Sequence, residues 1–512
     1  MPVIKHGVYG NMLPTLQRIT QLANADVPVF VGLAPVHRVE GGATHVNQPY
    51  LGLEPGDTKA YLGYDTNWST WTLCEAYYAC YTLFNQFDKP SPIFVNVFDP
   101  AKHMVAVPST SMTPVNGVIT INYVAGTTDV IIDSVVVKDS AGTLTKVEGK
   151  DYTTGYDQNN NFLITIIEVP VGPTYMVAYN NAKPSQVTYT DIIGGTNPDN
   201  TNTGLSVIND VFPMLGIVPG ILYAPNFMQQ PTVATAADAL VQSVNGIFKA
   251  RTGPIDIDDS VNARSPTTAF NFKTTHSIVD SREDLVWPPI CWNGTLQFHA
   301  GTLITILEGV VTQDSTKGRG IPYWSVSNNL LPITGVGLSD GTQITIRQPD
   351  ANYLNSNGIM SILNYQGGWF AWGNRTAAQG ISNDVTQVFA IVQRELDWIS
   401  NTIVLTLRPW VDNPTNQRLI ESITLTAQVW LSSLVSAGAL LKGLIEFLQV
   451  DNPSSNLLAG IVTFHYLLTP PIPAEDIENN FEFDVSGLNN LFNLLAATGQ
   501  AGVPSGGGLT VQ

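Results

Sequence analysis

The sequence predicts an α/β core, a mixed sheet flanked by helices, that is interrupted by an inserted all-β domain and carries an extended arm at each terminus. Three observations predict it. Nearly continuous apolar runs closed by Gly and Pro, at Val27 to Val36, Pro92 to Phe98 and Pro219 to Pro225, read as strands buried on both faces. Apolar residues recurring at steps of three and four between Val385 and Ala437 read as two long helices. From about Val105 to Pro184, runs of Val, Ile, Thr and Tyr alternate with turn clusters, the pattern of short strands and hairpins.

At 512 residues the chain exceeds one core of ordinary size, and domains of about 100–200 residues predict three or so. A formal charge of −18 with no Lys/Arg cluster argues against a nucleic-acid-binding face, because phosphate neutralisation needs clustered cations. Only 12% of residues are charged while 44% are hydrophobic, so the exterior must be rich in neutral polar and apolar groups. That suits a subunit which buries much of its surface in an assembly. Cys74, Cys80 and Cys291 make neither a metal spacing nor an even disulfide framework, and are expected to be reduced, buried thiols. The first ten residues have no apolar h-region, and Lys442 and Gly443 interrupt the most apolar stretch, Trp430 to Val450. Neither a signal peptide nor a membrane span is expected.

In chain order, residues 1–26 read as an N-terminal arm, with Val3, Ile4, Val8 and Tyr9 as candidate strand residues. Residues 27–104 begin the core: strand Val27 to Val36, a helix from Thr70 to Phe87 and strand Pro92 to Phe98. Strand, crossover and strand imply a parallel pairing. Residues 105–189 form the inserted β-rich domain, expected to be a sandwich, with Thr190 to Gly204 as its exit linker. Residues 190–350 return to the core through a helix at Ser206 to Leu215, strand Pro219 to Pro225 and a helix at Thr232 to Lys249.

Residues 351–473 end the core. Val385, Phe389, Val392, Leu396, Ile399 and Ile403 make one helical stripe. Asn413-Pro414 places a capping side chain before a Pro at the first helical position, and Leu419, Ile423, Ala427, Trp430, Leu434 and Ala437 continue a second stripe to a stop at Gly438. Strands Leu444 to Val450 and Gly460 to Leu468, joined through Asn452-Pro453, are expected to close the core. The prolines from Pro470 to Pro473 end the packed region, since Pro cannot donate into a ladder. Residues 474–512 are the C-terminal arm and tail. Glu478 to Val485 alternates like an edge strand, with Phe481, Phe483 and Val485 as its apolar residues, and Ser486 to Ala497 could add a short helix.

No catalytic motif stands out: there is no His-Glu-x-x-His, Gly-x-Ser-x-Gly or phosphate loop. Asp256-x-Asp258-Asp259 could bind a divalent cation after a strand, but acids solvating a loop explain it as well. His37 and His45 flank Gly41-Gly42 without a third ligand, and Lys317-Gly318-Arg319-Gly320 reads as an exposed turn. No catalytic residue, cofactor site or metal ligand is assigned.

The stretch Gly358 to Thr376 organises the rest. Its Gly-Ile-x-x-Ile start, its Gly367-Gly368 turn, the apolar strand Trp369 to Trp372 and the closing Trp372-Gly373-Asn374-Arg375-Thr376 resemble the signature of contractile tail sheath proteins. Asn352-Tyr353-Leu354-Asn355, Pro219-Gly220-Ile221-Leu222-Tyr223-Ala224-Pro225, Leu285 to Pro289, Ile321 to Asn328, Gly438 to Gly443 and Pro473-Ala474-Glu475-Asp476-Ile477 fall in that family's order, so the resemblance covers about residues 1–100 and 190–485. It implies a structural subunit, not an enzyme. Its terminal arms would add strands to neighbouring copies, linking hexameric rings into a helical sleeve around a tail tube protein. Baseplate and tail terminator proteins would bind its ends, with no nucleic acid and no membrane insertion. The site would be the virion tail, assembled in the bacterial host cytoplasm, and contraction would drive the tube through a target envelope. Arg375 is read as structural, a guanidinium fork on backbone carbonyls or a carboxylate. The rival readings are a capsid or other shell-forming protein and, in another class, a hydrolase with two carboxylates across a cleft.

Overall fold

The apolar runs that sequence periodicity marks as doubly buried do form the centre of one sheet. In the computed structural model, which describes residues 20–84, 91–168, 171, 173–258 and 263–488, β1 (Pro28–Gly32) is buried along its whole length. It lies between β3 (Ile93–Asn96) and β4 (Ile221–Tyr223), parallel to both, with Val29 opposite Ile93 and Leu222. Strand β5 (Arg251–Thr252) extends the sheet in parallel beyond β4, and β2 (Pro49–Leu51) pairs antiparallel with β3, giving the order β5-β4-β1-β3-β2. The sheet is therefore mixed, and the crossover from β1 to β3 is helical as expected. The expected helix from Thr70 to Phe87 is shorter: α1 (Thr72–Tyr78) passes into a π-helical turn at Ala79–Leu83. The helix expected to reach Lys249 ends at Val241, because Asn245 and Gly246 both take positive φ and turn Val244 back to pair with Phe248.

Six strands from Met104 to Ala182 make two antiparallel three-stranded sheets. Tyr175–Ala182 is central in one and Phe162–Ile166 in the other, and Ile119, Val137, Phe162, Ile164 and Val177 fill a core of their own between them. Met104 stands opposite Ala182, so the segment leaves and re-enters the core side by side.

Helix α2 (Ala300–Gln313), which no periodicity announced, is buried on nearly every side; a helix apolar all round shows no stripe to read. Further on, α3 (Gln348–Ser356) precedes a hairpin of β6 (Ser361–Tyr365) and β7 (Gly368–Trp372). The single stripe expected from Val385 to Ile403 is broken. A short turn, Val385–Val388, gives way at Phe389, whose extended backbone bridges Arg375, and α4 (Ala390–Leu407) starts afresh. Helix α5 (Gln417–Ala437) is capped by Asn416, whose side chain accepts from Leu419 N at 3.0 Å, not by Asn413; Gly438, at φ 79°, ends it as expected.

Although Lys442 and Gly443 led to no expected span, α5 ends before them and is by length and composition alone sufficient to cross a membrane, with a mean hydropathy of 1.2. One of its faces is packed inside this chain through Ile423, Ala427, Trp430, Leu431 and Leu434, with Trp430 5.7 Å from Trp398 of α4. Strands β8 (Lys442–Glu446) and β9 (His465–Thr469) do not join the core sheet. They pair with each other as a separate hairpin against α5. The chain divides into two compact units, Met1–Pro473 and Ala474–Gln512. In the second, residues 474–488 form no strand, so the edge strand expected at Glu478 to Val485 does not exist in the isolated chain. The expected helix at Ser486 to Ala497 lies largely outside the described residues, as do Val3, Ile4, Val8 and Tyr9.

Candidate functional site

The signature stretch works as a structural knot, and each residue type in it has a local reason. Gly358, at φ 70°, turns the chain out of α3 where a Cβ would come within 2.3 Å of Thr376 O. Met360 then bridges Val286 in parallel, donating to Leu285 O at 2.7 Å and accepting from Trp287 N at 3.0 Å. The β6–β7 turn is Gln366-Gly367, at φ 51° and 84°, and not Gly367-Gly368; a two-residue hairpin of this hand needs positive φ at both central positions. With its amide nitrogen turned toward the two carbonyls, Asn355 donates to Trp372 O and Ile359 O, each at 3.0 Å. That bond ties the Asn-Tyr-Leu-Asn segment to the end of β7.

Past β7 the chain is sewn to the start of α4. Ser325 Oγ donates to Asn374 Oδ1, and Ala390 N donates to Asn374 O at 3.0 Å. Thr376, fully buried, donates from Oγ1 to Gln387 O at 2.6 Å and from its amide to Val388 O at 2.9 Å. Arg375 is half-buried; Nη1 donates to Gln379 Oε1 at 2.8 Å and the guanidinium lies 4.9 Å from the Phe389 ring centroid. An amide oxygen and a ring face are thus among its partners.

Beneath the knot lies an ionic cluster that sequence reading missed. Arg394 of α4 donates to Asp26 and, at 3.2 Å, to Thr312 of α2, and stands 3.7 Å from Glu308. Arg251 pairs with Asp284 at 2.7 Å, and Arg282 forks onto Asp397. Burial pushes the Glu308 carboxyl up to about 7, against the opposing pull of Arg394. No local signal marked it, because Arg394 and Asp397 share the helix with other polar residues such as Gln393, Glu395 and Asn401, and their partners lie far away in the chain. Residues 21–26 of the expected N-terminal arm belong to this cluster and to α4: Ala23 N donates to Thr402 Oγ1 at 3.1 Å and Trp398 Nε1 to Ala23 O at 2.9 Å.

The other sequence candidates are drawn into packing. Asp256 is buried, accepting from Tyr223 Oη and, at 2.8 Å, from Gly301 N, and burial raises it to about 6 although His299 opposes the shift. Asp259 lies outside the described residues, and among the described residues no three His, Cys, Asp or Glu are grouped to hold a metal. His37 is buried, with Nε2 2.9 Å from Asp129, while His45 Nδ1 meets Tyr61 O at 2.9 Å. Lys317 donates to Asn329, and Arg319 Nη2 donates at 2.9 Å to Ala437 O, one of the last carbonyls of α5. All three cysteines are free and buried.

Apolar side chains left in solvent gather in the C-terminal region. Leu425 and Val429 on α5, then Leu441, Val450, Leu458 and Ile461 around the hairpin, are exposed. The side-chain amide of Gln428 donates to Gly443 O at 3.0 Å and accepts from Ile445 N at 3.1 Å, the role a neighbouring strand's peptide would play for β8. Within the second unit, Phe481 and Phe483 are 95% and 77% exposed, and Val485 is exposed too.

No family model matches the chain. It is 27% identical over 489 residues to the tail sheath protein of Burkholderia phage BcepMu, covering 92% of this chain and 94% of that one. It is 23% identical over 296 residues to the tail sheath protein of Escherichia phage P2, covering 57% and 69%. Among solved structures, the helical sheath of the anti-feeding prophage in its contracted state shares the fold, with a TM-score of 0.54 at 15% identity, over 94% of this chain and 100% of that one. The resemblance to contractile tail sheath proteins thus extends over nearly the whole chain, and those relatives are structural proteins, not enzymes.

Proposed function

We propose that this chain is the repeating subunit of a contractile tail sheath. It polymerises as stacked hexameric rings around a tail tube protein, is bounded by baseplate and terminator proteins, and shortens to drive the tube through a target cell envelope. The observation that carries this reading is the similarity to the BcepMu tail sheath protein over 92% of the chain. The exposed apolar residues of the hairpin region and of residues 474–488 support it, because strand addition between copies would cover both at once. A head-to-tail contact of that kind does not close on itself and so generates a helix. Contraction is then relaxation from an extended, kinetically trapped lattice to a tighter one, with the energy stored at assembly. The protein would reside in the virion tail after assembly in the bacterial host cytoplasm.

Negative-stain electron microscopy of the purified full-length chain tests the reading, alone and co-expressed with its tube protein. Hollow sleeves of constant diameter are expected. Closed shells, or a monomer that never polymerises under either condition, would overturn it.

A further inference from the structure

Arg38 sits on a 3-10 turn, Val36–Arg38, just past the C-terminal end of β1, at the junction of the core with the six-stranded insertion. Its guanidinium is held from both sides. Nε and Nη2 donate to the two oxygens of Asp129, at 2.9 and 2.7 Å, in a fork that a planar guanidinium makes and an ammonium cannot. Nη1 pairs with Asp65 at 2.7 Å. Asp129 belongs to the insertion, Asp65 to the core, and the three side chains are only 6, 7 and 3% exposed for Arg38, Asp129 and Asp65. His37 brings Nε2 to Asp129 at 2.9 Å while its ring stacks 5.2 Å from Trp71 of the core. From the insertion, Tyr123 and Tyr156 face the guanidinium at 5.0 and 5.9 Å.

Two further bonds cross the same junction. Asn160 Nδ2 donates to Asp65 Oδ2, and Gly41 N donates to Asp133 Oδ2, each at 3.2 Å. Burial works against the charge on Arg38, but Asp129 and Asp65 more than offset it and hold its pKa above the ordinary value. Burial likewise pushes Asp129 up, and His37 and Arg38 hold it below the usual carboxylate range. Arg38 finds its bidentate partner across the junction, and Asp129 finds the cations that offset its burial there.

We infer that Arg38 is a docking latch that locks the inserted β-module onto the α/β core in one orientation, so that the two move as a single body. Two adjacent strands, at Met104 and Ala182, are the covalent connection, and a two-strand tether alone leaves a module free to swing. The latch opposes that freedom, because separation would take Asp129 away from both Arg38 and His37 and leave Arg38 with Asp65 alone. A partner pulling on the module therefore loads β1 through Arg38. The inference does not rest on the sheath reading.

Hydrogen exchange on the full-length chain decides it, comparing wild type with Arg38→Met, Asp129→Asn and the double variant. Overlapping peptides spanning 38–47, which carry the crossing Gly41 amide, should exchange about tenfold faster or more in either single variant. The double variant should add little, since both changes open one contact, and peptides of β1 and β3 should keep wild-type protection. Wild-type exchange at the crossing peptides, or fully additive effects, would overturn the latch. Should Arg38→Met fail to fold, Arg38→Lys keeps the charge but loses the fork. The same acceleration is then expected, and its absence would overturn the proposal equally.

Discussion

Gly373 shows how tightly single residues are specified around the knot. At φ 145°, a Cβ there would stand 2.8 Å from the Asn355 amide and 3.0 Å from Met360 Cα, and Met360 is fixed by its bridge to Val286. Gly373→Ala should therefore lower stability by about 1–3 kcal/mol, read as a lower urea midpoint; an unchanged midpoint would mean that this backbone adapts freely. A second residue-scale expectation concerns Glu308. Because burial raises its carboxyl to about 7, the folded chain binds that proton more tightly than the unfolded chain does. The stability it contributes is complete below the ordinary glutamate value and is lost as pH rises through about 7. Glu395, raised by burial to about 8, and Asp256, raised to about 6, act in the same direction. Stability should fall between about pH 5 and about pH 8. Glu308→Gln should reduce that slope by up to about 1.4 kcal/mol per pH unit; identical slopes in urea titrations would mean that Arg394 keeps Glu308 ionised. Sequence reading picked out Trp372 to Thr376 as a unit but not the bonds that make it one. It had no access to the Arg394 cluster, whose partners Asp26 and Glu308 come from distant parts of the chain.

At the scale of elements, periodicity identifies a helix well and locates its ends poorly, because the ends depend on which side chain meets which amide. Asn413-Pro414 has the right residue types for a helix start, yet Asn413 Nδ2 turns back to Pro409 O at 3.4 Å while Asn416 takes the capping bond. Asn416→Ala should cost about 1 kcal/mol, whereas Asn413→Ala should leave the melting temperature within error; the reverse order in thermal scans would restore the earlier start. The same limit explains the stripe from Val385 to Ile403. Its spacing is helical throughout, but Phe389 leaves the helix to pair with Arg375, a long-range demand that a local window does not contain. Turn clusters did expose the strands of the insertion, since turn residues are chosen locally. The two-residue strands Arg251–Thr252, Ile255–Asp256 and Leu285–Val286 are too short to carry a period. The docking of the insertion through Arg38 and Asp129, 91 residues apart, was equally out of reach.

At the scale of the whole molecule, the question is what the C-terminal arm is for when, in the isolated chain, residues 474–484 form neither helix nor strand. Phe481, at 95%, is the most exposed large apolar side chain among the described residues, and with exposed Phe483 two residues on it makes the kind of apolar patch that marks an interaction site. An added strand of about six residues makes some six ladder bonds, each worth only about 1 kcal/mol net, so one arm contact is weak. Repeated at every subunit of a lattice, such contacts act multivalently and hold while other interfaces slide. On the proposed function, the arm would be needed by the polymer and not by the fold. Phe481→Lys combined with Phe483→Lys, or truncation after Pro473, should give a subunit with the wild-type circular dichroism spectrum that sediments as a small species. Removal of residues 1–20 should do the same, because it spares the segment packed on α4 from Gln21 onward, where Gln21 N donates to Thr406 Oγ1 at 3.2 Å. Electron micrographs of any of these variants decide the matter: sleeves of normal length would exclude the arms as tethers, while leaving the similarity to sheath proteins untouched.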